Sequence, residues 1–421
     1  MEYSSSEVLQ YVTENDVKFI KLFFADIFGE IKSVSVQPSI LKRAFKEGIS
    51  FDANAVKGFL NARESDLFIC PDPSTLTVLP WRPQRGRVAR MYCSIKNPDG
   101  TIFQGDTRAI LIEQAKKLAD LGYEIKVGTE CEFYLFKLDE NGQPTKIPHD
   151  MAGYCGLAPM DKGENVRREI ILTLEQMGIT PETSHHESGP GQNEIDFRYD
   201  SIIAAADNVC TFKNVVRSIA SQSGLFASFA PKPLEKEAGS GLHINVSLYK
   251  NGVNLMGQNA PEADHFIAGV LKHIREITAF LNSYEQSYSR LGSFEAPAYV
   301  SWSKQNRSQL IRIPAASGDN IRFELRSADP SCNPYLALAL VCAAGIDGIE
   351  NQLPLPEAVD LDLFNAPKEV LEKMEKLPSS LEEALDLAQN SKFVASVLSR
   401  NTIDSFIQAK RETKDPEFWE L

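Results

Sequence analysis

Four separate segments of this chain alternate chemistry-bearing and apolar residues at a period of two, and this constrains the fold more than any other feature. Strand side chains point alternately to opposite faces. Each segment therefore buries one face and presents chemistry on the other. In Gly128–Phe133 the shared face carries Glu130 and Glu132. In Leu242–Leu248 it carries His243, Asn245 and Ser247, and in 320–326 it carries Arg322, Glu324 and Arg326. The fourth segment runs through His185-His186-Glu187-Ser188-Gly189-Pro190-Gly191-Gln192-Asn193-Glu194-Ile195-Asp196-Phe197. Its Gly-Pro-Gly is a turn signal, so Glu187 and Glu194 can reach neighbouring strands of one polar face. Two carboxylates held close repel unless a proton or a cation lies between them.

Read singly, each segment is an ordinary solvated strand face. Read together, they describe one sheet face bearing Glu130, Glu132, Glu187, Glu194, Glu324 and His243. Oxygen ligands with one imidazole suit Mg²⁺ or Mn²⁺, and the set suffices for two metal sites. Arg290, Arg307, Arg312, Arg322 and Arg326 fall within one region of the sequence. Arginine binds phosphate and carboxylate in bidentate geometry. Hard cations with several arginines describe phosphoryl transfer. No G-x-x-x-x-G-K-[ST] motif is present, and Gly239-x-Gly241 lacks the third glycine of a dinucleotide fingerprint.

The 421 residues suffice for two domains. A net charge of −13 argues against a nucleic-acid backbone as partner. The N-terminus has no basic and apolar signal pattern, and no apolar run is long enough to span a bilayer. The longest, Tyr335–Ala344, reads as a buried helix. There are 7 cysteines and no C-x-x-C pair, which fits free thiols in a reducing cytoplasm. Periodicity predicts a strand-rich first hundred residues: a helix over 4–14, a hairpin over 17–36, a helix over 38–47, a loop over 48–58 and strands over 76–81 and 87–94. Helices over 107–121, 165–177, 206–221, 264–281 and 334–349 then interleave with the polar-faced strands, and three more close the chain.

Taken in order, these motifs resemble the type I glutamine synthetases over nearly the whole chain. Phe51-Asp52, Glu64-Ser65-Asp66, Ala158–Asn165, Pro231-Lys232-Pro233, Gly239-Ser240-Gly241, Asn306-Arg307-Ser308 and Asn333-Pro334-Tyr335 carry the resemblance alongside the segments above. It implies an α+β fold: a small β-grasp-like N-terminal domain over 1–104 and a catalytic domain over 105–421, with a curved antiparallel sheet flanked by helices. It implies ATP-dependent ligation of ammonia to glutamate and a homo-oligomer, a dodecamer with active sites shared between subunits. By position, Glu132, Glu187 and Glu194 are expected at one metal, and Glu130, His243 and Glu324 at the other. Arg307, Arg312 and Arg322, with Asn245 and Ser247, are expected at ATP, and Arg307 also at the transferring phosphoryl group. Arg290, Arg326, Gly239 and Glu187 are expected at glutamate. Glu295 is expected on a flap over the site, and Asp52 of a neighbouring subunit at ammonium.

The chain departs from the family pattern at Ala53-Asn54-Ala55, at Ala238 where Asn is common, at Asn245 where many members have a second His, and at Asp319. The position of a feedback-linked arginine is Asn61, and no adenylylation-site region is matched. The alternatives are a γ-glutamyl ligase for an organic amine such as a polyamine or ethanolamine, a non-catalytic homologue, and a two-metal hydrolase.

Overall fold

The computed structural model describes residues 3–59, 65–82, 85–258, 260–416 and 418–420. Glu64 and Asn61 lie outside these. The N-terminal part is a sheet in the order Ile31–Val36, Val17–Ala25, Arg87–Lys96, Asp66–Pro71, Ile49–Asp52, with Thr77–Val78 beside Arg87–Lys96. Its central pair, Val17–Ala25 with Arg87–Lys96, is parallel. The helix Pro38–Glu47 starts on a proline and buries Leu41 and Ala44.

Two local expectations change here. The stretch expected as a loop contains the strand Ile49–Asp52, paired residue by residue with Asp66–Ile69. That pairing seats Phe51 against Phe24, with ring centroids 4.9 Å apart. The strand ends where the Asp52 carboxylate accepts the Asn54 N–H and opens a short 3₁₀ turn. The strand expected over 76–81 contracts to Thr77–Val78.

The larger part is a sheet in the order Trp302–Lys304, Ile311–Ile313, Phe323–Leu325, Leu242–Lys250, Glu124–Leu138, Gln192–Ser201, Pro181–His186. Among the described pairings of this sheet only Trp302–Lys304 with Ile311–Ile313 is parallel. The strands at the ends of the site are shorter than alternation alone predicts. Asn306 Oδ1 accepts from both the N–H and the Oγ of Ser308, and this side-chain turn takes the place of a ladder. Gly318–Asn320 likewise turns before Phe323–Leu325 begins.

Helices cover the apolar face. Pro334–Glu350 is buried along most of its length and packs on Pro261–Leu281. Buried charge joins the two parts. Arg108 lies within 3.0 Å of both Asp72, just past the strand Asp66–Pro71 of the N-terminal sheet, and Asp207 on the helix Ile202–Gln222. The Tyr335 hydroxyl donates to Asp207 Oδ1 at 2.7 Å, and the Tyr92 hydroxyl to the Asp207 carbonyl at 2.9 Å. Among the described residues no helix is long and apolar enough to cross a membrane.

Candidate active site

The strand register builds the site. Glu132 stands opposite Glu194, and Glu130 opposite Asp196, across Glu124–Leu138 and Gln192–Ser201. On the other side His243 stands opposite Glu130, and Asn245 opposite Glu324. The turn at 189–191 returns the chain so that His185 stands opposite Glu194. Glycine is required there: a Cβ on Gly189 would lie 2.0 Å from the Tyr134 hydroxyl. The alternation in the sequence thus becomes a single acidic face.

Two groups of side chains on that face have ligand atoms within 4.8 Å of one another: Glu130, His243 and Glu324, and His185, Glu187 and Glu194. In the first, His243 Nδ1 lies 3.0 Å from Glu130 and 3.5 Å from Glu324. In the second, His185 Nε2 lies 2.9 Å from Glu187 and 4.0 Å from Glu194. Burial, then the charges of Glu132, Asp196, Glu130 and Glu187, push the Glu194 carboxyl up to about 12. Burial would raise Glu130 as well, but the hydrogen bond and charge of His243, with Asn245, hold it at about 2. A buried carboxyl surrounded by carboxylates and imidazoles is the environment a divalent cation relieves. The residues present therefore fit a metal ion.

Most residues expected from the sequence line one cavity of 820 Å³: Glu130, Glu132, Glu187, Glu194, His243, Gly239, Arg290, Glu295, Arg307, Arg312, Arg322 and Arg326. Glu324 is buried behind it, bridging Arg312 at 2.8 Å and Arg326 at 2.6 Å. Arg290 is buried and donates to the Ser327 and Arg326 carbonyls. Arg326 also donates to the Glu295 carbonyl at 3.3 Å. Arg307 is exposed at the cavity edge.

Besides Glu324, three expected residues stand apart from the lining. Asn245 donates to Glu130 and accepts from Arg322, so it bridges the two ends of the site. Ser247 donates to the Ile321 carbonyl. Asp52 is exposed on the N-terminal sheet and does not line the cavity of its own chain. The Glu132 carboxylate accepts from Gln192 Nε2 and the Gly241 N–H, both at 2.9 Å, and the third atom of the tight cluster around Glu187 and Glu194 belongs to His185.

His185 has no role in the sequence reading. The signal for it was available, because it precedes Glu187 by two positions and shares its face. His186 and Asp150 are also new. The fully buried His186 ring contacts the Asp150 carboxylate at 2.8 Å and the Glu187 carbonyl at 2.6 Å, while Asp150 accepts the Gly191 N–H. This pair fixes the turn that presents Glu187. Nothing in the local pattern around Asp150 announces it.

Against this geometry, two family models match the chain: "Glutamine synthetase, catalytic domain" over residues 104–418 and "Glutamine synthetase, beta-Grasp domain" over 16–98. The chain belongs to the glutamine synthetase family. The glutamine synthetase of Methanosarcina mazei is 46% identical over 416 residues, covering 97% of this chain and 93% of that protein. The glutamine synthetase of Clostridium saccharobutylicum is 43% identical over 418 residues, covering 97% and 94%. Among solved structures, the ADP complex of GmaS superposes with a TM-score of 0.88 at 27% identity, covering 98% of each chain. Glutamine synthetases are ATP-dependent ligases that use a divalent metal, and the clustered carboxylates fit that chemistry.

Proposed function

We propose that the polar sheet face catalyses ATP-dependent ligation of ammonia to the γ-carboxylate of L-glutamate, giving glutamine, ADP and phosphate through γ-glutamyl phosphate. The observation that carries this reading is the meeting of two carboxylate–imidazole clusters with five arginines in one cavity. A carboxylate is a poor electrophile, so its oxygen first takes the γ-phosphoryl group of ATP, and ammonia then displaces phosphate.

Each residue has a role in that sequence. Glu130, His243 and Glu324 hold one divalent cation, Mg²⁺ or Mn²⁺; Glu187 and Glu194, with His185 and Glu132, hold the other. When bound, the cations neutralise phosphate oxygens. Arg307, Arg312 and Arg322 grip the ATP phosphates, and Arg307 also carries charge on the transferring group. Asn245 and Ser247 lie at the ATP end, where Asn245 aligns Arg322 with Glu130. Arg290 and Arg326 grip the glutamate carboxylates. The Gly239 carbonyl, held by Gln192 at 3.1 Å, takes the amino group. Glu295 rides on a flap that excludes water and receives a proton from the attacking nitrogen.

Asp52 completes the ammonium site of a neighbouring subunit. It is exposed in its own chain, which supports a shared site in a ring oligomer, a dodecamer. The domain boundary falls at 104/105, and the enzyme works in the cytoplasm with neither nucleic acid nor membrane as partner. The test is phosphate release with ATP, Mg²⁺ and glutamate, comparing ammonium with a panel of amines. Ammonium should support the fastest release. An organic amine that outruns ammonium would move the reading to a γ-glutamyl ligase of larger amines.

A further inference from the structure

The motif Pro231-Lys232-Pro233 has no place in the chemistry above, and Lys232 does not line the cavity. It nevertheless touches both loops that must close over the reactive intermediate. Its Nζ donates to the Glu237 carbonyl at 2.5 Å, inside the loop that leads to Gly239. The same ammonium stands 4.5 Å from the ring centroid of Phe294, the residue before Glu295. Flanking prolines restrict the backbone on either side. The Pro231 carbonyl accepts the Ser240 N–H at 2.9 Å, and a Cβ on Gly239 would come within 2.5 Å of that carbonyl. The loop is therefore closed on itself, with Lys232 on a fixed base.

The flap side is less constrained. Phe294 has φ +53°, which a phenylalanine rarely adopts, and it is 54% exposed. Its ring borders the active-site cavity and also a second, 340 Å³ cavity lined by Ala298, Tyr299, Leu363, Phe364 and Leu371. Phe294 thus has a second cavity, of mixed polar and apolar lining, beside the position its ring occupies. The Lys232 cation at the ring face favours the position the ring now occupies.

We propose that Lys232 is a positioning residue that latches the flap to the glutamate loop, so that both close over the acyl phosphate as one unit. The proposal rests on the flap reading of Glu295. If the latch opens, water reaches the intermediate: water oxygen bonds to the acyl carbon of the γ-carboxyl group, the bond from that carbon to the phosphate oxygen breaks, and phosphate leaves with the electron pair. Glutamate is regenerated, and ATP has gone to ADP and phosphate with no glutamine formed.

The test is the ratio of glutamine formed to phosphate released, measured with ATP, Mg²⁺, glutamate and ammonium. In Lys232→Met and in Phe294→Leu the uncoupled share of phosphate should rise about two- to fivefold, the range expected for losing one cation–π contact. Lys232→Arg should restore coupling, and Lys232→Met/Phe294→Leu should be no worse than either single variant. A residue that merely holds the fold would lower total turnover and leave the ratio unchanged. Phe294 is exposed, so Phe294→Leu remains informative if Lys232→Met folds poorly. Wild-type coupling in both single variants would overturn the latch. Glu295→Ala separates the two readings: if it uncouples while Lys232→Met does not, only the latch is wrong; if neither uncouples, the flap reading falls as well.

Discussion

Two clusters of buried charge in this chain are built on opposite rules. Around Arg108, opposite charges are paired: the guanidinium meets Asp72 and Asp207, and Tyr335 donates a further hydrogen bond. Around Glu194, like charges are gathered: Glu132 lies opposite it in register, and Glu130, Asp196 and Glu187 add to the field. The first cluster is complete within the chain and joins the N-terminal part to the helices of the larger part. The second is complete only with a proton or a cation added. The comparison teaches that burial alone does not mark a functional site. The sign of the neighbours does, because a structural network neutralises its own charge and a binding site leaves a deficit for the ligand.

Substitutions in the two clusters should therefore fail in opposite ways. The largest expected effect is on catalysis. Glu187→Ala should reduce ligase turnover by more than the ~10–100-fold typical of losing a residue behind a metal ligand. The melting temperature of the metal-free protein should change little, because the change removes repulsion on Glu194 together with the contacts Glu187 makes to His185 and Ser188. Turnover within several-fold of wild type would break the metal assignment. In the structural cluster, Arg108→Met leaves Asp207 buried beside no cation. It should cost about 3–5 kcal/mol in denaturant unfolding while leaving the residues of the cavity in place. An unchanged unfolding midpoint would remove the distinction. Tyr335→Phe deletes one hydrogen bond to the same carboxylate and should cost less, ~1.5–3 kcal/mol.

How much of this contrast was legible differs between the two clusters. The like-charge face is readable because strand alternation keeps Glu130 and Glu132, or Arg322, Glu324 and Arg326, on one side whatever the register. His185 was readable by the same rule. The Arg108 cluster is not, since Asp72, Arg108, Asp207 and Tyr335 come from four distant elements, and local periodicity says nothing about which of them meet. The strands expected over 76–81 and 320–326 are present but contract to Thr77–Val78 and Phe323–Leu325 for a related reason, because side-chain turns and 3₁₀ turns compete with the ladder. Asp52 entered through the family resemblance alone: local alternation did not reach it, because the segment holding the strand Ile49–Asp52 reads as a loop.

The smallest expected effect is on pH dependence, and it carries a definite sign. Without metal, the folded chain keeps a proton on Glu194 up to about 12, while the unfolded chain loses it in the ordinary carboxylate range. The unfolded state then binds fewer protons, so stability falls as pH rises above the ordinary carboxylate range. Saturating Mg²⁺ takes the place of the proton and should flatten the slope. Urea unfolding at several pH values, with and without Mg²⁺, measures it. A slope of opposite sign would mean that Glu194 is already ionised without metal.

The central claim is that the acidic face binds divalent cations in two clusters of ligands. The most direct test is calorimetric titration of Mn²⁺ into the metal-free protein, run in two buffers of different protonation enthalpy. Saturable uptake at two sites per chain with net proton release is expected, and Glu130→Gln and Glu187→Gln should each weaken a different site. No saturable uptake, or uptake unchanged in both variants, would contradict the account.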